Sequence, residues 1–246
     1  MKATVVKHTG SHYLLSKLPE WNLFPAVIKG RMRLEDLEST NPIAVGDIVE
    51  YEEVDSGRDG DIRGAADGRM CTIKEVMPRK NCIIRKSTNL SRQNHVIAAN
   101  LDRVFLTVTL ADPQVKLQFI DRFLVTCEAY GVPVTILLNK ADIYLQDGEA
   151  VGSKKISGKE RENVKAQAEN FKNIYCGAGY EVLEVSAITG LNISVLEEEC
   201  KGRVVLFSGQ SGVGKSSLIN RMDPNLDLKT AEISAAHLQG KHTTTF

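Results

Sequence analysis

One octapeptide has the residue types needed to hold a chain of phosphates. It reads Gly209-Gln210-Ser211-Gly212-Val213-Gly214-Lys215-Ser216 and fits the pattern GxxxxGK[ST]. Glycines let backbone N–H groups approach phosphate oxygens, and a helix that begins near Gly214 adds the positive end of its dipole. Lys215 can neutralise the β- and γ-phosphates, and the Ser216 hydroxyl can bind Mg²⁺. A glycine-rich turn with a solvated lysine is the alternative, which a predicted strand before the segment and a predicted helix after it disfavour.

A second motif, Asn139-Lys140-Ala141-Asp142, directly follows an apolar run. The ring N–H and the exocyclic amine of guanine are adjacent hydrogen-bond donors, and the Asp142 carboxylate can accept a hydrogen bond from each. Adenine lacks that pair of donors. Asn139 can bind the base edge or tie neighbouring loops together, and the aliphatic stem of Lys140 can cover the base face. Taken alone the motif is weak, because Asn and Asp also cap helices that follow strands.

Two weaker motifs gain weight from their positions. Ser186-Ala187-Ile188-Thr189-Gly190 follows another predicted strand, and its small residues allow a backbone N–H to reach the guanine carbonyl. Alone, it is more simply a generic loop. His242-Thr243-Thr244-Thr245 follows the phosphate loop, and a threonine there can complete Mg²⁺ coordination and sense the γ-phosphate. Its alternative is a polar tail.

The elements that must position these motifs alternate between strand and helix. Apolar runs predict strands at Arg103–Leu110, Pro133–Leu138, Glu181–Val185 and Val204–Phe207. Helical spacing predicts helices at Leu117–Tyr130, Glu160–Tyr175, Ile193–Cys200 and Lys215–Met222. Such alternation is typical of βαβ units and a mostly parallel sheet, and ligands of such sheets bind beyond the carboxyl ends of the strands.

The N-terminal part has a different pattern. Short β-rich runs at Ala3–Val6, Ala26–Ile28, Asp47–Tyr51 and Cys71–Val76 are separated by glycines and indicate a small barrel or sandwich. The polar, glycine-rich stretch Asp55–Gly68 is predicted to be a loop. The sequence therefore predicts an all-β domain at residues 1–88 and an α/β domain at residues 89–246.

The overall composition is that of a soluble globular chain. The 246 residues contain 31 Lys and Arg against 31 Asp and Glu, so the formal net charge is zero. This balance argues against a uniformly basic nucleic-acid binder but permits local basic patches. No apolar run is long enough to span a membrane, and a signal peptide is lacking. The five cysteines are scattered without a CxxC pair, which argues against a disulfide framework and favours a reducing, cytoplasmic setting.

Together the four motifs resemble the guanine-nucleotide boxes of a GTPase in an unusual order. The NKAD and SAITG motifs precede the phosphate loop and the threonines, whereas ordinary GTPases place the phosphate loop first. The chain is identified by this circular permutation as resembling the ribosome small-subunit-dependent GTPase family (RsgA/YjeQ). Further likenesses are Ile97–Asp102, Ile120-Asp121-Arg122 and Gly240–Thr245.

The resemblance implies an N-terminal OB-fold, a permuted P-loop GTPase domain and a C-terminal zinc domain. It also implies weak GTP hydrolysis that the small ribosomal subunit stimulates during its late maturation, with GTP, GDP and Mg²⁺ as ligands. Partners would be the subunit and its rRNA, with no membrane, and the protein would be a monomer. The implied catalytic residues are Lys215, His242 and Thr244, with Thr243 and Thr245 as alternatives to Thr244, and the Mg²⁺ ligands are Ser216 and Thr244. The implied nucleotide contacts are Asn139, Lys140, Asp142, Ser186, Ala187, Gly209, Gln210, Ser211, Gly212, Val213, Gly214, Lys215, Ser216 and Ser217.

In one respect the sequence departs from the family. It stops at Phe246, before the DxxG box and the zinc site, so the GTPase domain is expected to be incomplete at its C-terminus. Asp61-Ile62-Arg63-Gly64 fits DxxG by spacing but lies in the N-terminal domain, and we interpret it as a chance match. The alternative function is a non-catalytic, nucleotide-binding RNA or assembly module. A P-loop ATPase is disfavoured by the NKAD motif.

RNA contact is expected at the N-terminal domain. Basic residues cluster there at Lys2, Lys7, Lys17, Lys29, Arg31 and Arg33, and again at Arg79, Lys80, Arg85, Lys86 and Arg92. Aromatic and imidazole rings at His8, His12, Tyr13, Trp21 and Phe24 can stack on bases. The alternatives are a solvated basic face and aromatic residues of the core.

Overall fold

The structure is a computed structural model that describes residues 1–9, 12–28, 43–54, 70–86, 94–145, 157–226 and 228. These residues form two compact units. The first comprises the described residues of Met1–Leu101 with Tyr130–Val132, and the second those of Asp102–Ala129 and Pro133–Phe246. The predicted loop Asp55–Gly68, with its DxxG-like tetrapeptide, lies outside the described residues.

A closed five-stranded barrel forms most of the first unit. Its strands are β1 (Lys2–Thr9), β2 (His12–Ser16), β3 (Phe24–Ile28), β4 (Ile48–Val54) and β5 (Met70–Val76), in the order β1-β2-β3-β5-β4. The β3–β5 pair is parallel, and β1 closes the barrel by pairing with β4. Alternate residues of β1 point inward, as Ala3 and Val5 do. The closed barrel confirms the expected OB-type fold.

A partly buried ion pair joins the segment before β4 to the segment after β5. The fully buried Asp47 carboxylate accepts hydrogen bonds from Nε and Nη2 of Arg79, both at 2.7 Å, and from the backbone N–H of Ala44 at 2.8 Å. A buried charge is tolerated when it is paired and hydrogen-bonded in this way. The unit also contains the antiparallel pair β6 (Cys82–Lys86) and β7 (Asn94–Ala99).

The second unit contains a four-stranded, fully parallel sheet in its described part. Its strands are β8 (Arg103–Val108), β9 (Val134–Leu138), β10 (Glu181–Glu184) and β11 (Val205–Ser208), in the order β10-β9-β8-β11. The helices are α1 (Leu117–Ala129), α2 (Asp142–Leu145), α3 (Gly158–Gly177), α4 (Ile193–Cys200) and α5 (Lys215–Met222), followed by a 3-10 turn at Pro224–Leu226. The predicted strands and helices of this part are all confirmed, and the short helix α2 was not predicted.

Helices cover both faces of this sheet, which explains why the strands are apolar throughout. On one face, Leu106, Val108 and Ile136 pack with residues of α1 and α3. On the other, Phe105 and Leu137 pack with residues of α4 and α5. Helix α3 begins earlier than predicted because Ser157 and Glu160 form a capping box.

Because the four strands run parallel to one another, their carboxyl ends all lie at one edge of the sheet. The loops of the predicted site begin at this edge.

Candidate functional site

Three of the sequence motifs occupy loops at the carboxyl edge of the parallel sheet. The loop that starts at Asn139 follows β9, and the one that contains Ser186 follows β10. The phosphate-loop segment follows β11 and leads directly into α5, whose first residue is Lys215. This edge is where open α/β sheets bind ligands.

Glycine is required at two positions of the phosphate loop. Gly209 has φ 144°, and a Cβ there would lie 2.3 Å from the carbonyl oxygen of Thr107 on β8. Gly214 has φ 92°, and a Cβ there would lie 2.4 Å from Nδ2 of Asn139. Both contacts are shorter than a side-chain carbon allows, so the loop takes this course only with glycine.

Lys215 folds back over the phosphate loop. Its Nζ donates hydrogen bonds to the carbonyl oxygens of Gly209 at 2.9 Å and Gln210 at 2.7 Å. Burial of the side chain lowers the pKa of Lys215 below its ordinary value. The fully buried side chain of Val213 packs into the core beneath α1 and anchors the same loop. These two hydrogen bonds hold the ammonium group over the loop.

Asn139 connects two of the motifs directly. Its Nδ2 donates a hydrogen bond of 2.7 Å to the carbonyl oxygen of Val213, and its side chain is buried. The sequence suggested two roles for Asn139, binding the base edge or connecting neighbouring loops. The hydrogen bond to Val213 shows the second role. Its Oδ1 is buried and has no hydrogen-bond partner among the described residues. One buried acceptor is therefore left over at the centre of the site.

Asp142 is held by the motif that follows β10. The Ser186 hydroxyl donates a hydrogen bond of 2.6 Å to Oδ1 of Asp142, and both residues are buried. The same hydroxyl accepts the backbone N–H of Thr189 at 3.2 Å, which orients its own proton toward the carboxylate. The Ala141 N–H donates to the carbonyl oxygen of Val185 at 3.1 Å, so the two loops are also joined through their backbones.

The Asp112 carbonyl oxygen, in the loop between β8 and α1, also contacts the site and was missed from the sequence. Lys140 has φ 61°, and its Nζ donates a hydrogen bond to the carbonyl oxygen of Asp112. Burial lowers the pKa of Lys140, while the nearby Asp112 and Asp142 act to raise it. Contact through a backbone carbonyl does not depend on residue type, so the sequence carried no signal for it.

The fourth motif could not be placed. His242, Thr243, Thr244 and Thr245 lie outside the described residues. Within the described ranges, no cluster of three or more His, Cys, Asp or Glu side chains could hold a metal ion. Ser216 lies in the first turn of α5, directly after Lys215, where a hydroxyl oxygen suits a hard cation such as Mg²⁺.

The barrel surface agrees only in part with the predicted RNA contacts. Tyr13 is 3% exposed and belongs to the core, which is the alternative to base stacking that the sequence left open. Trp21 is 70% exposed and remains available for contact. Arg79 is bound to Asp47, whereas Lys2, Lys7, Lys17 and Lys80 are exposed. The side chains of the predicted basic residues Lys29, Arg31, Arg33, Arg85, Lys86 and Arg92 fall outside the described part of the chain.

All five cysteines are free thiols. None of the helices described here has the length and apolar character that crossing a membrane requires.

Comparison with known proteins identifies relatives along the whole sequence. A family model described as RsgA GTPase matches residues 76–246. The small ribosomal subunit biogenesis GTPase RsgA of Bacteroides fragilis is 44% identical over 246 residues, which cover 100% of this chain and 70% of that protein. Its counterpart in Christiangramia forsetii is 43% identical, with the same coverage of 100% and 70%.

Solved structures give the same picture of the fold. The crystal structure of YjeQ from Thermotoga maritima matches with a TM-score of 0.66 and 28% identity, covering 94% of this chain and 68% of that one. The structure of YloQ, a circularly permuted GTPase, matches with a TM-score of 0.58 and 24% identity over 91% of this chain and 64% of that one. The latter bears on the fold alone.

Proposed function

Because the chain belongs to the RsgA GTPase family, we propose that it binds and hydrolyses GTP in the biogenesis of the small ribosomal subunit, the role for which its curated relatives are named. The observation that carries the proposal is the hydrogen bond from Asn139 Nδ2 to Val213 O, which joins a guanine-type motif to the phosphate loop. Residues 89–246 would hold the nucleotide, and residues 1–88 would contribute RNA contacts.

Guanine specificity is assigned to Asp142. Its carboxylate accepts the ring N–H and exocyclic amine of the base, a pair that adenine does not present. The Ser186 hydroxyl orients the carboxylate by a 2.6 Å hydrogen bond to Oδ1. The backbone N–H of Ala187 serves the guanine carbonyl, and the stem of Lys140 covers the base face.

Phosphate binding is assigned to the loop from Gly209 to Ser217. The loop presents backbone N–H groups, and α5 contributes the positive end of its dipole. Lys215 exchanges its bonds to the Gly209 and Gln210 carbonyls for phosphate oxygens, and the new anionic partner raises its pKa again. Phosphoryl transfer requires mainly positioning and charge neutralisation, which this arrangement supplies.

Ser216 and Thr244 are the proposed ligands of Mg²⁺. The hydroxyl of Ser216 follows Lys215 in the first turn of α5, so its oxygen fits a cation that prefers hard oxygen ligands. A bound Mg²⁺ would neutralise charge on the β- and γ-phosphates. His242 is proposed to position the attacking water, and Thr244 to respond to the γ-phosphate.

The partner is the small ribosomal subunit, which is proposed to stimulate hydrolysis. Exposed Lys2, Lys7 and Lys17 and the exposed Trp21 of the barrel support contact with rRNA. We place the protein in the cytoplasm, a reducing compartment that agrees with its five free thiols. We also propose that it is a monomer.

Single-turnover hydrolysis of GTP, measured with and without small ribosomal subunits, tests this function. We expect slow hydrolysis by the protein alone and a clear acceleration by subunits. Tight GTP binding with no hydrolysis in either condition would instead support a non-catalytic assembly module.

A further inference from the structure

One face of α1 carries an open cavity of about 380 Å³ beside the phosphate loop. Its walls include Lys116, Phe119, Arg122, Phe123, Thr126 and Gln210. Residues three and four positions apart lie on the same side of a helix, so Phe119, Arg122, Phe123 and Thr126 form one stripe. We call this cavity the α1 groove. Because Gln210 is part of its wall, the groove extends from α1 to the loop assigned to phosphate.

Two aromatic rings form the apolar part of the α1 groove. Phe119 and Phe123 have ring centroids 6.3 Å apart with an interplanar angle of 30°, a stacked arrangement. Both are half-buried, and they pack against the core cluster while also lining the groove. Partly exposed aromatic ring faces are platforms on which planar groups stack.

The charge of the α1 groove is positive. Lys116 and Arg122 are exposed, and the lining residues that the structure describes include no carboxylate. The acidic side chain of Asp121, on the same helix, accepts a hydrogen bond of 2.8 Å from the Tyr175 hydroxyl instead. A groove with two cations and two stacked rings is suited to an anionic ligand that has flat faces.

We infer that the α1 groove binds an unpaired segment of RNA, with a base stacked on Phe119 and Phe123 and flanking phosphates neutralised by Lys116 and Arg122. The inference rests on the proposed function, in which the partner contains rRNA. Stacking combined with backbone neutralisation is the general mode of single-strand binding. An acidic protein segment would satisfy the two cations but would leave the ring faces without a planar partner.

RNA bound in the α1 groove would affect the phosphate site through its contact with Gln210. The carbonyl oxygen of Gln210 accepts the hydrogen bond from Lys215 Nζ at 2.7 Å, and Gln210 also lines the groove. RNA in the groove therefore contacts the residue that holds the phosphate-binding ammonium. Subunit binding would act on hydrolysis by this route.

Binding of a short, unstructured, fluorescein-labelled RNA tests the electrostatic part of the inference. The double variant Lys116→Ala/Arg122→Ala should reduce the slope of log affinity against log salt by about 1.4, from roughly 0.7 for each lost single-strand contact. The matched control is Lys159→Ala/Lys165→Ala, which removes two exposed lysines from α3 and should leave the slope unchanged. Equal slopes for the two double variants would overturn the inference.

Substitutions of Phe119 test the stacking part. Phe119→Tyr keeps the ring and should retain affinity for the RNA, whereas Phe119→Leu keeps an apolar side chain and should lose about tenfold. Thermal unfolding of both variants shows whether packing against the core is preserved. If Phe119→Leu lowers the melting temperature while RNA affinity stays the same, Phe119 serves only core packing and the inference is wrong.

Crosslinking separates the α1 groove from the barrel. RNA that contains 4-thiouridine should crosslink to the peptide spanning Phe119 and Phe123, and crosslinks confined to residues 1–88 would contradict the inference. Basal GTP hydrolysis of Lys116→Ala/Arg122→Ala should equal that of the wild type, while stimulation by small subunits should fall. If small subunits fail to stimulate hydrolysis by the wild type, the proposed function is wrong. The crosslink would still show whether RNA binds in the α1 groove.

Discussion

Asn139 Nδ2 and the carbonyl oxygen of Val213 are joined by a buried hydrogen bond of 2.7 Å across 74 positions of the chain. Val213 belongs to the phosphate loop, and Asn139 begins the loop that carries Asp142. The two ends proposed to grip a guanine nucleotide are therefore parts of one hydrogen-bonded body.

Replacing Asn139 by Ala should weaken the binding of GDP and GTP alike. The substitution leaves the Val213 carbonyl oxygen without its donor, at a cost of about 1–3 kcal/mol, and frees the phosphate loop from the base loop. Calorimetric titration should show at least a tenfold loss of affinity for both nucleotides. Asn163→Ala, on the exposed face of α3, is the control. Unchanged affinity in Asn139→Ala would show that the loop tie has no role in binding.

A Cβ at Gly214 should disrupt the same contact from the other side. Gly214→Ala places a methyl group 2.4 Å from Asn139 Nδ2 at a residue with φ 92°, so both sterics and backbone strain oppose it. We expect loss of nucleotide binding and a decrease of about 1–3 kcal/mol in the free energy of unfolding. Gly177→Ala, where nothing lies within 4 Å of the added carbon, should be close to neutral. Equal stability of the two variants in urea denaturation would contradict the described loop geometry.

Ser186→Ala should weaken guanine binding without changing the preferred base. The buried Asp142 carboxylate loses its 2.6 Å hydrogen bond and becomes less well oriented, although its acceptor character is unchanged. A hydrogen bond to a charged group is worth about 1.5–3 kcal/mol, so an affinity loss of about tenfold or more is expected in GDP titrations. Ser194→Ala, at an exposed position of α4, is the matched control. A change of base preference would show that Ser186 itself reads the base.

Lys215→Ala should abolish nucleotide binding while the nucleotide-free protein stays folded. Burial lowers the pKa of Lys215, so the unfolded chain binds more protons than the folded one. The contribution of Lys215 to the stability of the nucleotide-free wild type should consequently increase as pH rises through the interval between that lowered pKa and the ordinary value of Lys, against the opposite contribution of the buried Tyr and Cys groups whose pKa is raised by burial. Lys215→Ala should lack this contribution, so its stability relative to that of Lys165→Ala, exposed on α3, should fall as pH rises. Urea denaturation across alkaline pH measures the difference, and identical pH slopes would refute the assignment.

Much of the α/β unit was predictable because its signals are local. Strands buried on both faces, such as β8 and β9, read as uninterrupted apolar runs, and the loops after them carry the chemical motifs. The barrel was harder, since β2 was not singled out and the sequence left open whether Tyr13 is a surface ring or part of the core. Pairing between distant strands decides which side of a short strand is buried, and period-two patterns over a few residues do not specify that side.

Contacts that do not depend on residue type were invisible in the sequence. The hydrogen bond from Lys140 to the Asp112 carbonyl brings a further loop into the site through the backbone alone. The α1 groove likewise arises because Phe119 and Phe123 are only half-covered by the core, whereas helical spacing alone would assign both to it.

The base preference of Asp142→Asn tests the central claim most directly. Asparagine supplies an amide donor, which matches the carbonyl that xanthine carries in place of the guanine amine. Competitive titration should show GDP affinity reduced and affinity for xanthosine diphosphate increased, while Asp121→Asn, whose carboxylate instead binds Tyr175, should keep the wild-type preference. If Asp142→Asn prefers GDP as strongly as the wild type, Asp142 does not read the base, and the phosphate loop and the NKAD loop do not form one guanine-nucleotide site.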